Sequence, residues 1–338
     1  MAKRNKSRGM RKIAPAITDL SFQIPAGGGA SIDARNYIDT ARELSRINRR
    51  LYDQGRMYAY QGLTFIWKAQ AAVGAQTLTT IELNVRTAGN TWVVQNAFVK
   101  GKALWDEMQD LVLDDNPSIA GKWHDFKVKL AKTAATNRTL AVLDGQGVEV
   151  AAGKWNYSTY VIPQHDVNPA DGLPLAPIEV TAHLIGDDGT AAGVLDKVSL
   201  VKAYQESRAT VQPIDPNVPA NMSTSFFNVL TDSGSQEPEL ADVIEDENDE
   251  PPYDADNYPG GDTNANVPMT VAYSAISQSE VDGRTMGFIA PCGLLEIEVK
   301  GYDQDGVQFP VASMPAIDLL LHVAPGTYKG IAAIPMGQ

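Results

Sequence analysis

The sequence predicts a mainly β chain, folded as a sandwich or barrel, and three observations predict it. From Met57 onward, a dozen or more short runs rich in aromatic and β-branched residues are separated by Gly, Pro, Asp and Asn. Several of these runs alternate polar and apolar side chains with a period of two, as a strand with one buried face requires. No repeat of fixed period is present, which argues against a solenoid or propeller. At 338 residues, 43% of them hydrophobic and 20% charged, the chain can bury a sizeable core in one large domain or two ordinary ones.

Taken in order, residues 1–12 ("MAKRNKSRGMRK") carry six cations and no anion: Lys3, Arg4, Lys6, Arg8, Arg11 and Lys12. They lack apolar periodicity and read as a disordered arm. Residues 13–31, broken by Pro15, Pro25 and Gly27–Gly29, read as an extended linker, so that residues 1–30 form one basic arm-and-linker unit. Residues 31–55 read as an amphipathic helix capped by Ser31 or Asp33 and closed by Gly55. Ile38, Ala41, Leu44, Ile47 and Leu51 would form its apolar face, with Arg35, Arg42, Arg46 and Arg49 on a stripe beside it.

Residues 56–338 read as the β body. Its strands are expected in "MYAYQGLTFIWKAQ", "TLTTIELNVRT", "NTWVVQNAFV", "TLAVLDGQGVEVAAG", "NYSTYVIP", "PIEVTAHLIG", "VSLVKAY", "RATVQPI", "TSFFNVL", "VPMTVAYSAI", "MGFIAP", "GLLEIEVKGYD", "VQFPVA" and "TYKGIAAIPM". "KGKALWDEMQDLVLDD" has helical spacing, and "LADVIEDEN" suits one short turn. Residues 232–262 contain ten acids and no base between Glu237 and Asp256, with Pro251–Pro252 inside, and read as an acidic surface insertion.

The net charge of −13 hides a strong asymmetry. Residues 1–56 hold twelve Lys/Arg against five Asp/Glu, whereas residues 57–338 hold sixteen against thirty-six. A basic head on an acidic body calls for a polyanion on one side only. Nucleic acid fits that description. The arm would neutralise phosphates without reading bases, and Arg42, Arg46 and Arg49 would extend its surface.

Catalytic signatures are missing. No GxSxG, P-loop or GxGxxG occurs, and "AGGGAS" reads as a hinge. His124-Asp125 and His165-Asp166 are dipeptides without a metal-binding pattern around them, and His183 and His322 sit in strand contexts. Cys292, the single cysteine, reads as a buried core residue and excludes an intrachain disulfide. "DADNYPGGD" has part of a calcium loop in Asp254, Asp256 and Asp262, and shared calcium between subunits is the one cofactor it suggests. An enzyme is therefore not expected. No run approaches the ~20 apolar residues of a membrane span, and no apolar segment follows the basic start as a secretion signal would require. A carbohydrate-binding sandwich is the competing reading, but Trp67, Trp92, Trp105, Trp123 and Trp155 are scattered through apolar contexts.

The basic arm, the linker and the chain of eight or more antiparallel strands with loop insertions resemble the jelly-roll capsid proteins of small icosahedral viruses. The internal run "VKGKALWDEMQDLVLDDNPSIAGKWHDFKVKLA" (Val99–Ala131) is similar to coat proteins of environmental circular single-stranded DNA viruses. The resemblance implies an antiparallel jelly-roll sandwich whose copies assemble into a shell around a genome, with single-stranded DNA favoured over RNA. It also implies residence in the virion after assembly inside the host cell, where "KRNKSRGMRK" would suit nuclear import. Residues 56–338 exceed what one eight-stranded roll requires. One roll with insertions is favoured here over two rolls in tandem, because the two halves show no similarity.

Overall fold

The computed structural model describes residues 15–27, 35–67, 72–73, 76–120, 124–131, 138–162, 175–186, 189–191, 194–207, 268–277, 280 and 282–337. The chain opens with β1 (Asp19–Ile24), β2 (Arg35–Asp39), helix α1 (Thr40–Asn48) and the long β3 (Arg56–Trp67). A small ribbon, β4 (Ala72–Val73) and β5 (Gln76–Thr77), leads to β6 (Thr80–Thr87). Then follow α2 (Trp92–Asp115), β7 (Lys129–Ala131), β8 (Arg138–Thr139), β9 (Thr159–Ile162) and β10 (Ile178–Ile185). Next come β11 (Gly189–Ala191), β12 (Val194–Ser199), α3 (Leu200–Glu206) and β13 (Met269–Ser277). The chain closes through β14 (Asp282–Arg284), β15 (Phe288–Pro291), β16 (Leu294–Tyr302), β17 (Ile317–Val323), β18 (Pro325–Tyr328) and β19 (Ala333–Pro335).

Two sheets face one another across one apolar core. The first has the order β1-β17-β3-β14, with β15 continuing β14 and β19 continuing β17 along β3. The second has the order β13-β6-β16-β2, extended by the short β8. Period-two alternation builds the interface. Leu20, Phe22 and Ile24 of β1, Leu63 and Phe65 of β3, and Leu319 and Leu321 of β17 meet Ile81, Leu83 and Val85 of β6 and Leu295, Ile297 and Val299 of β16. With only the main strands of these two sheets counted along the chain, and the short β8 left out, β14 and β15 act as one sixth strand and β17 and β19 as one eighth. The sheets then read first-eighth-third-sixth and second-seventh-fourth-fifth. Between β14 and β15, Thr285 crowds Gly62, whose φ is +142° and where a Cβ would fall 2.5 Å from the Thr285 carbonyl oxygen.

The chain between β6 and β13 builds a second body with its own core. There β10 pairs in parallel with β12 and β7 and antiparallel with β9, while β11 borders β12. Helices α2 and α3 pack on this sheet through Phe98, Leu104, Trp105, Leu200 and Val201 against Phe126, Tyr160, Val180 and Leu184. Strands β2 and β16 serve both cores at once. Ile38 and Leu295 point into the sandwich, and their neighbours Tyr37 and Leu294 point into the second core. The residues after β8 also close the side of the sandwich where β1 and β2 are outermost. Leu140 N–H donates to the Tyr37 carbonyl and Leu143 N–H to the Ser21 carbonyl, each at 2.8 Å, while Leu140 and Val142 enter the sandwich core.

Among the described residues the architecture is mixed α/β, with three multistranded sheets and three α-helices, where a mainly β chain was expected. The departures have local causes. The supposed linker contains β1, because Leu20, Phe22 and Ile24 alternate and Pro15 and Pro25 bracket that strand. The helix expected over residues 31–55 spans only Thr40–Asn48. Tyr37 and Ile38 face opposite cores, as only a strand permits, and Asp39 caps the helix by accepting from Arg42 N–H at 3.1 Å. The helix stops at Arg49, which takes the left-handed conformation at φ 54°. "NTWVVQNAFV" begins α2 under a Thr91 cap, and "VSLVKAY" divides at Ser199 into β12 and α3. "VQFPVA" forms a turn and a short 3-10 helix at Val311–Ser313, touching β16 through one Tyr302–Gln308 bridge. The segments "RATVQPI", "TSFFNVL" and "LADVIEDEN" and the acidic insertion 232–262 lie outside the described residues, as do Ser31 and Asp33.

Candidate nucleic-acid interface

The six arm cations Lys3, Arg4, Lys6, Arg8, Arg11 and Lys12 lie outside the described residues, but the root of the arm is well defined. Asn48, the last residue of α1, brackets Ile17. Its Oδ1 accepts from Ile17 N–H at 2.7 Å and its Nδ2 donates to the Ile17 carbonyl at 3.0 Å. Arg50 Nη1 donates to the Pro15 carbonyl at 3.0 Å. The chain therefore enters the fold beside the C-terminal turn of α1.

Cations gather at that root. Arg49 is exposed on the helix cap. Arg56 lies 3.6 Å from the Tyr328 ring centroid, and Lys329 lies 5.0 Å from Tyr328 and 5.8 Å from Tyr52. Asp53 is the acid paired with them, 4.0 Å from Arg56 and 3.7 Å from Lys329, and it also accepts from the Tyr328 hydroxyl at 2.7 Å. The negative end of the α1 dipole points here as well, and it favours cations over anions.

Arg42 and Arg46 are not the solvated stripe that their spacing suggested. Each turns inward to Glu43, which is fully buried. Arg42 Nε donates to one carboxylate oxygen and Arg46 Nη1 to both, at 2.9 and 3.2 Å. Arg42 Nη2 also donates to the Leu140 carbonyl, Arg46 Nη2 donates to the Val150 carbonyl, and Glu43 accepts from Val142 N–H at 2.8 Å. The cluster thus ties α1 to the segment that closes the sandwich. Burial works against the charge of Arg42, but Glu43 and Asp39 outweigh it and hold its pKa above the ordinary value. Arg46 Nε is buried with no acceptor. Arg35 sits on β2, so the four arginines share no helix face.

Asp39 is the hub of this junction. Beyond capping α1, it accepts from Trp155 Nε1 at 2.9 Å and from Gln54 Nε2 at 3.0 Å. Burial pushes its carboxyl up to about 6, against the pull of Arg42. Every contact is a donor to a carboxylate, so the role is structural.

Two clefts open on either side of Arg42. One, of about 280 Å³, is lined by Arg42, Ser45, Arg46, Leu51, Lys154 and Trp155. The other, of about 230 Å³, is lined by Arg42, Lys129, Thr139 and Tyr157 along with Asp39. Burial lowers the pKa of Lys129, and the nearby Lys197 adds to the effect. Spacing could not have revealed Lys129, Lys154, Arg56 or Lys329, since none of them neighbours the arm in sequence.

The remaining candidates are quickly placed. Cys292 is fully buried in the second core, and burial holds its thiol well above the ordinary value. His322 contacts Asp19 Oδ1 at 2.8 Å and Thr64 Oγ1 at 3.0 Å, bridging β17 to its neighbours, and His183 is buried in β10. Asp254, Asp256, Asp262 and His165 lie outside the described residues, among which no group of three His, Cys, Asp or Glu could hold a metal ion. Trp67 and Trp105 are buried in separate cores and form no shared binding platform. No family model, curated protein or solved structure matches this chain.

Proposed function

We propose that this chain is the coat protein of a small icosahedral virus, assembling in many copies and packaging a single-stranded genome, DNA in preference to RNA, through its basic arm. The observation that carries the reading is the strand order. A sandwich of first-eighth-third-sixth facing second-seventh-fourth-fifth is the order expected of the two Greek keys of a jelly roll, and so supports that reading. On this reading the roll is single, and the body between β6 and β13 is its principal insertion.

Charge supports the same reading. Six cations without an anion precede a body of sixteen Lys/Arg and thirty-six Asp/Glu, which suits a wall with a polyanion on one side and solvent on the other. The arm enters where Arg49, Arg50, Arg56 and Lys329 cluster, so phosphate neutralisation would continue onto the fold. Assembly also needs an edge. β13 is the outermost strand of the second sheet among the described residues, and its nine residues MTVAYSAIS carry no charge and no proline. Isolated edges are ordinarily guarded by such residues, so a bare one suits a contact between copies.

Electron microscopy of the purified chain at low salt tests the proposal, together with the ratio of absorbance at 260 and 280 nm. A variant with all six arm cations replaced by Gln is run beside it. Uniform closed particles from the wild type, with packaged nucleic acid lowered in the variant, are expected. Small species alone, or nucleic-acid content unchanged in the variant, would overturn it.

A further inference from the structure

We propose that the cleft between α1 and Trp155 seats one nucleotide of a single strand, with its phosphate on Arg46 and Lys154 and its base against the Trp155 indole. This rests on the coat-protein reading and specifies the ligand at one place on its surface.

Three observations converge on the cleft. The first is charge: three cations, Arg42, Arg46 and Lys154, line it, while the carboxylate ion-paired with both arginines is the buried Glu43 behind them, and Asp39 also acts on Arg42. Lys154 is exposed on its rim, and Arg46, whose Nε is buried without an acceptor, forms part of its wall. An anion would complete the set. The second observation is shape. A volume of about 280 Å³ falls just below the roughly 300 Å³ at which small-molecule pockets begin, which admits one nucleotide unit and excludes a duplex. Trp155, half-buried against the sandwich core, is fixed by its bond to Asp39; Lys127 lies over one face of the ring, 4.9 Å from its centroid, which leaves the opposite face for a base. The Ser45 hydroxyl, spent on the Ala41 carbonyl and Tyr52 N–H, acts only as wall.

The third observation is position. Leu51 lines the cleft one residue after Arg50, which holds the arm at Pro15. The cleft therefore opens next to the point where the chain after the basic arm joins the fold. Phosphate pairing plus stacking reads no base edge, as a site serving every part of a genome requires.

The test uses the full-length chain with its six arm cations replaced by Gln, titrated with fluorescein-labelled (dT)12 by anisotropy across a salt series. Binding is expected to persist, with log K falling against log salt at a slope near −0.7, the value for one neutralised phosphate of a single strand. Lys154→Gln in that background should reduce that slope and weaken binding severalfold, Lys154→Arg should restore it, and Trp155 emission should quench on binding. No binding by the arm-neutralised chain, an unchanged slope in Lys154→Gln, or equal affinity for a duplex of the same length would overturn the site. Micrographs separate the two failures. Closed particles without cleft binding would sink the site and leave the coat-protein reading standing. Lys154-dependent binding without particles would do the reverse.

Discussion

Glu43→Gln probes the junction most sharply. Glu43 is fully buried and accepts from Arg42, Arg46 and Val142 N–H, while the arginine side chains keep 19% and 11% of their exposure. Removing one partner of a buried ion pair costs roughly 3–5 kcal/mol, because the other charge stays behind uncompensated. Two features move the value to the low end of that range. The guanidiniums retain some water contact, and the Gln carbonyl still accepts from Val142. A loss of about 3 kcal/mol is therefore expected. For a chain of this size, about 2 °C of Tm accompanies each kcal/mol, so the melt should fall by about 6 °C. Circular dichroism melts at pH 7 make the measurement. Glu43→Gln combined with Arg46→Met should recover at least ~1 kcal/mol relative to the sum of the single changes, since pair and charge are then removed together. Glu43→Gln alone should also bind (dT)12 more tightly, because the cleft arginines lose their internal counterion. A Tm within about 1 °C of wild type would refute the claim that this carboxylate ties α1 to the closing segment.

The buried Asp39 predicts a pH dependence of definite sign. Its folded pKa, about 6, lies above the unfolded value of 3.8, so its contribution is fully present below pH 3.8 and lost as pH rises through 6. At about 1.4 kcal/mol per unit, the group removes up to about 3 kcal/mol across that window. Melts of wild type and Asp39→Asn from pH 4 to 7 should show a stability difference that moves steadily in the variant's favour; a constant difference would contradict the reading. At the bare edge, Tyr273 is 52% exposed on β13, so Tyr273→Lys should leave stability within about 0.5 kcal/mol and abolish closed particles on size-exclusion chromatography. Unchanged particle yield would exclude β13 as an assembly edge.

Much of the sandwich was legible locally. β3, β6 and β16 fall within runs expected as strands, since their apolar residues recur at every second position, whereas β17, which alternates as well, was not among the expected strands. The basic arm and the acidic body were equally plain, since charge segregation is a property of composition. At residues 35–48 the apolar spacing suited a helix throughout. Only the presence of two cores, with Tyr37 claimed by one and Ile38 by the other, makes the first five residues a strand. The parallel pairing of β10 with β7 and β12 has no local signature either, because its strands meet only after long intervening chain.

The junction shows the same division most clearly. The sequence by itself determined that Arg42 and Arg46 would sit together on a helix, and that a polycation would precede them. Tertiary structure decided that Glu43 would be buried between them, that Lys154 would arrive from more than a hundred residues away, and that Lys329 would meet Arg50 across the whole chain. The physical reason is that periodicity records which face of an element is apolar, whereas the partner of a charge is chosen by whichever distant segments the closed sheets bring within reach.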